Sequence, residues 1–310
     1  MKLLQHYSLI LVLIIFSACS ETNSVDMNNK TDNSTRQKFL AQIKQYNWNE
    51  PDKVFDMIEP AISFEAYSIK PSIGSSKLGG QPDLPKEFKW PTFHNQPMLF
   101  FGQINLSELN NLDKEGLLPK KGILYYFTYF DTPEIKNGTK DTSQEDNKKY
   151  KVLFFEGDIS KITLRAFPEN LISHFRLIEI PIRFHLVYRL PQAIESWKYE
   201  NAKLNKKDAA LFDSIRETTD NCDMILGTPN PIQYGVDYDW AFTYLNNADY
   251  NNPEVKIQVD KLRPEFINLF SFSMIGKFDK IGIPNCYFGI LKKDLIEKKF
   301  DKVVFISQGT

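Results

Sequence analysis

Residues 77–85 read Lys77-Leu78-Gly79-Gly80-Gln81-Pro82-Asp83-Leu84-Pro85, and the chain runs on through Trp90-Pro91 to Phe100-Phe101-Gly102-Gln103-Ile104. Paired glycines admit backbone conformations closed to other residues, and the prolines interrupt a ladder, so the first part is a turn. The second part is aromatic and apolar, the composition of a strand, with one glutamine inside it. Three glycines fall between Ser72 and Gly80. That stretch has neither Gly-Lys-Ser/Thr nor the G-x-G-x-x-G spacing, so it is a turn and not a phosphate cradle.

The order of parts returns later. Leu226-Gly227-Thr228-Pro229-Asn230-Pro231-Ile232-Gln233 repeats the glycine-proline turn. Lys256-Ile257-Gln258-Val259-Asp260 matches the strand with its glutamine. Ile283-Pro284 leading to Tyr287-Phe288 matches Leu118-Pro119 leading to Tyr125-Tyr126-Phe127. This order implies an internal duplication of a β-rich unit. The expected fold class is α+β, strand-rich, with mainly antiparallel sheets.

Outward from these repeats, Ile62–Glu65, Met98–Ile104, Ile123–Phe130, Val152–Phe155 and Ile162–Leu164 read as strands. From Ile178 to Leu190 apolar residues alternate with Glu179, Arg183, His185 and Arg189, a strand with one buried face. Pro181 is expected to put its half on an edge or to divide it in two. Helices are expected after Ser34, with Phe39, Leu40, Ile43 and Tyr46 on one face, at Asp52–Ile58, and after the Asn205 cap.

The N-terminus has its own logic. Lys2 precedes the apolar run 9–16, and Ser17-Ala18-Cys19 closes it. The run is too short to span a bilayer, so residues 1–18 read as a signal peptide. A cysteine after small residues resembles the lipobox of bacterial lipoproteins, which implies acylation of Cys19 by palmitate-type chains. Residues 19–33 are almost entirely polar and read as a flexible tether. Residues 34–310 then form one domain, with halves at about 60–200 and 201–310. Beyond Cys19, Cys222 and Cys286 have no metal or disulfide-framework spacing and read as separate thiols.

The two glycine-proline stretches, Phe101-Gly102-Gln103-Ile104, and the tail Tyr287-Phe288-Gly289-Ile290-Leu291 resemble the YwqG-like family of uncharacterised bacterial proteins. The resemblance covers about residues 60 to 308. It implies a mixed, strand-rich fold with a duplication, and it implies no reaction.

Net charge is −1, without the cationic surplus that binding nucleic acid requires. The four histidines lack metal-ligand spacing, and no G-x-S-x-G is present, so neither a metal, a cofactor nor a catalytic residue is assigned. Asp237-Tyr238-Asp239-Trp240 pairs two carboxylates with aromatics. It suits a sugar, a cation or acid-base work, and equally a solvated strand or turn over the core. Gln103 and Gln258 are each expected in an apolar strand, where a buried amide must find partners. They either fasten turn backbone or line a cleft between the halves.

Together these features point to a lipid-anchored protein of the cell envelope, on the outer membrane or cell surface in a Gram-negative cell. It is expected to be a non-catalytic binding module with a protein partner, in its narrower form an immunity protein against a toxin. The alternative is an envelope hydrolase acting on glycan or peptide, and a third reading is a structural component without ligand.

Overall fold

The two glycines of the first turn adopt the conformation that only glycine takes cheaply, with φ of 57° at Gly79 and 67° at Gly80. The turn brings Gly79 N–H to the Phe101 carbonyl at 2.7 Å, so the turn is fastened to the strand that follows it. The computed structural model describes residues 34–130, 147–191, 196–216, 223–233, 235–246, 249, 251–273 and 285–309. The signal-peptide reading, Cys19, the tether and Cys222 lie outside the described residues.

The chain divides into two units, Met1–Tyr46 and Asn47–Thr310. In the first, residues 34–43 are helical, as the capping pattern after Ser34 predicts, and Ile43 is buried. The second contains the strands β1 (Glu59–Ala66), β2 (Lys77–Leu78), β3 (Asp83–Pro85), β4 (Thr92–Phe93), β5 (Gln96–Pro97), β6 (Leu99–Asn105) and β7 (Ile123–Thr128). They are followed by β8 (Tyr150–Phe155), β9 (Ile162–Leu164), β10 (Ile180–Arg189), β11 (Met224–Ile225), β12 (Phe266–Ser273), β13 (Asn285–Leu291) and β14 (Val304–Gln308).

Ten of these strands form one sheet in the order β14-β13-β12-β11-β1-β10-β2-β6-β7-β8, and every neighbouring pair is antiparallel. The order reads the same from either end in terms of parts. From the central β1–β10 pair outward, each side has a two-residue strand, a long bulged strand, an aromatic strand and a short end strand. The register makes the duplication specific. Lys77, Gln103 and Tyr125 lie in one row across β2, β6 and β7, and Met224, Ser271 and Tyr287 lie in the corresponding row across β11, β12 and β13. Tyr125 Oη donates to the Asp83 carbonyl at 2.6 Å, and Tyr287 Oη donates to the Asn230 carbonyl at 2.7 Å. Bulges fall between Phe100 and Gly102 and between Asn268 and Phe270. Leu226 and Gly227, with φ of 62° and 68°, repeat the backbone of Gly79 and Gly80.

That register corrects one expected match. The counterpart of Gln103 is Ser271. Gln258 lies on the helix Pro253–Leu262, started by Pro253 and capped by Asn252, whose side chain accepts from Glu254 N–H at 2.9 Å. Val255 and Val259, four apart, form its buried face, while Ile257 is exposed. The alternation of Ile257, Gln258 and Val259 imitates a strand, but the period that matters is the helical one. Asp237-Tyr238-Asp239-Trp240 likewise falls on a helix, Val236–Tyr244, and not on a strand or turn. Pro181 does not mark an edge. It is the second residue of an unbroken central strand, at the point where β10 leaves β1 and takes up β2. Proline is tolerated at a strand's start because few ladder bonds depend on it there.

The sheet curls until its ends approach, with the rings of Tyr150 on β8 and Phe305 on β14 at 5.7 Å. Its inner face is aromatic and joins the halves. Phe101 meets Phe272 at 5.0 Å, and Tyr126 meets Phe270 and Phe288 at 4.7 and 4.9 Å. The outer faces are covered differently. On the first half Trp90 packs edge-on against Phe127 at 5.5 Å. On the second, Gly289 removes a side chain and Trp240 of the helix Val236–Tyr244 sits in the space; a Cβ at Gly289 would lie 2.3 Å from that ring. Among the described residues no helix is long and apolar enough to cross a membrane.

Candidate functional site

The two copies of the turn differ in chemistry. In the first, Lys77 is buried, with its ammonium 2.9 Å from Glu179 and 3.5 Å from Asp83. Gln103 accepts from Asp83 N–H at 2.8 Å and donates to Asp83 Oδ2 at 2.7 Å and to the Ser75 carbonyl at 2.8 Å. The first copy is therefore filled and its polar groups are paired. In the second copy the row holds Met224 and Ser271 in place of Lys77 and Gln103, and Asn230 stands in place of Asp83. A Cβ at Gly80 would meet Glu179 at 2.7 Å, and one at Gly227 would meet Ala61 at the same distance, so Ala61 replaces Glu179. The second copy lacks counterparts of Lys77, Asp83 and Glu179, and the carboxylate that reaches its turn is Glu59 of β1.

A cavity of 220 Å³ opens beside that second turn. Its floor comes from the start of β1, the Leu226–Pro229 turn and the start of β12. Its walls come from Trp197 and from Asp237 and Trp240 of the helix Val236–Tyr244. Leu112, Lys114, Glu115 and Lys292 edge it. Glu59 is buried there, accepting from Thr228 N–H at 2.5 Å and paired with the Lys198 ammonium. Asp237 Oδ2 accepts from Trp197 N–H at 2.8 Å and lies 3.4 Å from Arg263 Nε. Burial pushes the Asp237 carboxyl above the ordinary range, against the pull of Arg263 and the backbone N–H groups. Arg263, in turn, is held charged by Asp237 and Glu200 more strongly than burial discharges it.

Asn268 completes the floor. It sits in register with Gly289, on the outer face that Trp240 covers, and is 3% exposed. Its Nδ2 donates to Ser271 Oγ at 3.0 Å and to the Leu226 carbonyl at 3.4 Å, and its Oδ1 has no donor. A carbonyl only accepts, so the Leu226 contact fixes which way the amide faces. A second cavity, of 360 Å³, lies where β8 and β14 approach, and its described wall carries no carboxylate.

The residues singled out from the sequence do not converge. Asp237 and Trp240 line the smaller cavity. Asp239, its carboxyl also pushed up by burial, accepts from Gln308 Nε2 at 3.3 Å instead. Gln103 is buried in the first turn, and Gln258 is exposed on its helix. His185 is exposed beside Glu65. No group of three or more His, Cys, Asp or Glu able to hold a metal is found among the described residues. Sequence reasoning missed Glu59, Trp197, Thr228 and Asn268. Asn268 had a signal, since a lone amide within Phe266-Ile267-Asn268-Leu269-Phe270 is the same pattern that drew attention to Gln103.

Residues 76–308 match the family model described as a domain of unknown function, DUF1963. The chain belongs to the DUF1963 family. The match begins at the buried Ser76-Lys77 pair and ends on β14, so it spans both copies of the turn, while the Glu59–Ile62 segment that lines the cavity precedes it. No curated protein matches the chain.

Proposed function

We propose that this DUF1963 protein is a binding module of the cell envelope, held by lipid on Cys19, and that it captures its ligand in the cavity beside the second turn without transforming it. One observation carries the reading: a cavity of 220 Å³ lies beside the second turn, lined by residues of β1, β12 and the helix Val236–Tyr244 together with Trp197. Glu59 and Asp237 are each already engaged by a cation and a backbone N–H, which suits fixed walls better than proton transfer. The lipobox-like start, Ser17-Ala18-Cys19 after a short apolar run, supports the anchor. Two acyl chains suffice for stable anchoring.

A second reading, a hydrolase acting on glycan or peptide, is favoured by two carboxylates in one cavity, one of them with its acidity weakened by burial. Metabolic labelling with palmitate tests the anchor. Wild type is expected to incorporate label and Cys19→Ala is not; label retained by the variant overturns the anchor. Incubation with envelope glycan and peptide fractions tests the chemistry. Turnover that disappears in Glu59→Gln and Asp237→Asn would replace the binding reading with the hydrolase.

A further inference from the structure

We infer that the surface around the first turn seats the domain on an anionic phospholipid bilayer. Among the described residues eight large apolar side chains are exposed, and five of them come from segments that meet at this turn: Ile69, Ile73, Ile159, Leu164 and Ile178. Gly74 is the meeting point. A Cβ there would lie 3.2 Å from Ile162 and 3.3 Å from Ile159, and its N–H donates to Asp83 Oδ2 at 3.0 Å. Leu164 stands opposite Asp83 on β9, two residues from Ile162 and so on the same face of that strand. On the other flank Gly80 N–H donates to the Leu177 carbonyl at 3.1 Å, and Gly79 is pressed against the carbonyl of Ile178. Ile69 follows Tyr67, whose N–H donates to the Pro181 carbonyl at 3.1 Å, where β10 takes up β2. The second turn lies at the Glu59 end of the β1–β10 pair, where Gly227 packs on Ala61, and the first lies at the Ala66 end. This surface and the cavity are therefore separate and can be occupied together.

Charge and side-chain type choose the occupant. Lys70, Lys161 and Arg176 are exposed, and each lies within two residues of one of the five apolar side chains. The neighbouring carboxylates are engaged: Glu179 holds the buried Lys77 ammonium at 2.9 Å, and Asp158 accepts from Ser160 N–H at 3.0 Å. Exposed aliphatics flanked by cations match a lipid surface of negative charge. Such side chains sink to the acyl boundary while ammonium and guanidinium groups stay with the phosphates. None of the five is aromatic, whereas protein partners draw most binding energy from Trp, Tyr and Arg. The proposed anchor on Cys19 supplies the bilayer, because a tether of residues 19–33 reaches at most about 50 Å. The inference rests on that anchor only for the nearness of lipid.

The test takes the full-length chain with Cys19→Ala, which removes the anchor, and adds vesicles of phosphatidylethanolamine and phosphatidylglycerol in equal parts. Hydrogen exchange read by mass spectrometry is expected to slow at residues 69–80 and 159–164 and to stay unchanged at residues 254–260, around the exposed Ile257. Vesicles of phosphatidylcholine alone are expected to give a weaker effect. The double variant Ile73→Ser/Leu164→Ser changes only exposed positions, so thermal melting is expected to show it folded, with partitioning to the anionic vesicles at least tenfold weaker. Lys70→Glu/Lys161→Glu is expected to erase the preference for anionic over neutral vesicles, and Ile257→Ser to change nothing. Exchange that does not slow on vesicles, or partitioning indifferent to the double variant, overturns the inference. Slowing that needs no vesicles and grows with protein concentration also overturns it, because a second copy then covers the surface. Slowing on vesicles in a chain whose wild type takes up no palmitate label removes the anchor and leaves the docking surface standing. Label without slowing does the reverse.

Discussion

Gln103 uses both ends of its amide on the first turn, and that makes it a sharp residue to change. Gln103→Ala strands the Asp83 N–H and removes one donor each from the Ser75 carbonyl and the Asp83 carboxylate, which keeps Gly74 N–H and Lys77. The expected loss is about 3 kcal/mol in urea denaturation, where Gln258→Ala stays within about 0.5 kcal/mol. Equal losses would show that the two amides are alike after all. Tyr126 gives the opposite expectation. Its hydroxyl is fully buried without a partner, and burial pushes it well above the ordinary phenol range. Phe288 fills the corresponding place beside Tyr287 in the second copy. Tyr126→Phe is therefore expected to raise stability by about 1 kcal/mol, and a loss of that size would mean that the hydroxyl has a role in the core. Asn268 Oδ1 is likewise buried without a donor.

Elements are locked by single contacts with definite signs. Gly289 on β13 admits Trp240, so Gly289→Ala forces the ring and its helix outward. The expected cost is about 2–3 kcal/mol, with a near-ultraviolet circular dichroism change from the displaced indole. The helix Lys206–Arg216 is tied to residues 49 and 50 through Asp208, which accepts from Asn49 N–H at 2.9 Å, Glu50 N–H at 2.8 Å and Asn205 Nδ2 at 2.8 Å. Burial raises the Asp208 carboxyl, but these donors together pull it below its ordinary range. A depressed carboxyl stabilises the fold above its unfolded value, about 4, and that contribution is lost as the pH falls through the folded value. Wild type should therefore lose stability as the pH falls below about 4 more steeply than Asp208→Asn, which starts weaker at neutral pH. Parallel curves would exclude Asp208 as the source. The helix Pro253–Leu262 shows how a short pattern misleads: Ile257, Gln258 and Val259 alternate by accident, while the Val255–Val259 spacing marks the buried face.

On the scale of the whole molecule, the two copies are interleaved and do not stand side by side. β1 precedes the first copy in sequence, yet it pairs with β11 and completes the second half of the sheet. A fragment of residues 201–310 lacks that strand and is expected to be unfolded by circular dichroism when expressed alone, and to gain strand signal when residues 47–200 are supplied. Independent folding of the fragment would show that β1 is dispensable. The sequence by itself determined the strand-rich α+β class, the two glycine-proline turns, the aromatic strands and the duplication, because turn chemistry and apolar period are written locally. It located Asp237 and Trp240, but it could not show that Asp239, Gln103, Gln258 and His185 lie elsewhere. Only the tertiary structure decided the correspondence of Gln103 with Ser271, the central place of β10, and the cavity lined where Ala61 stands in place of Glu179. Those outcomes depend on register and on which side chains from distant segments share one space, and no local pattern encodes either.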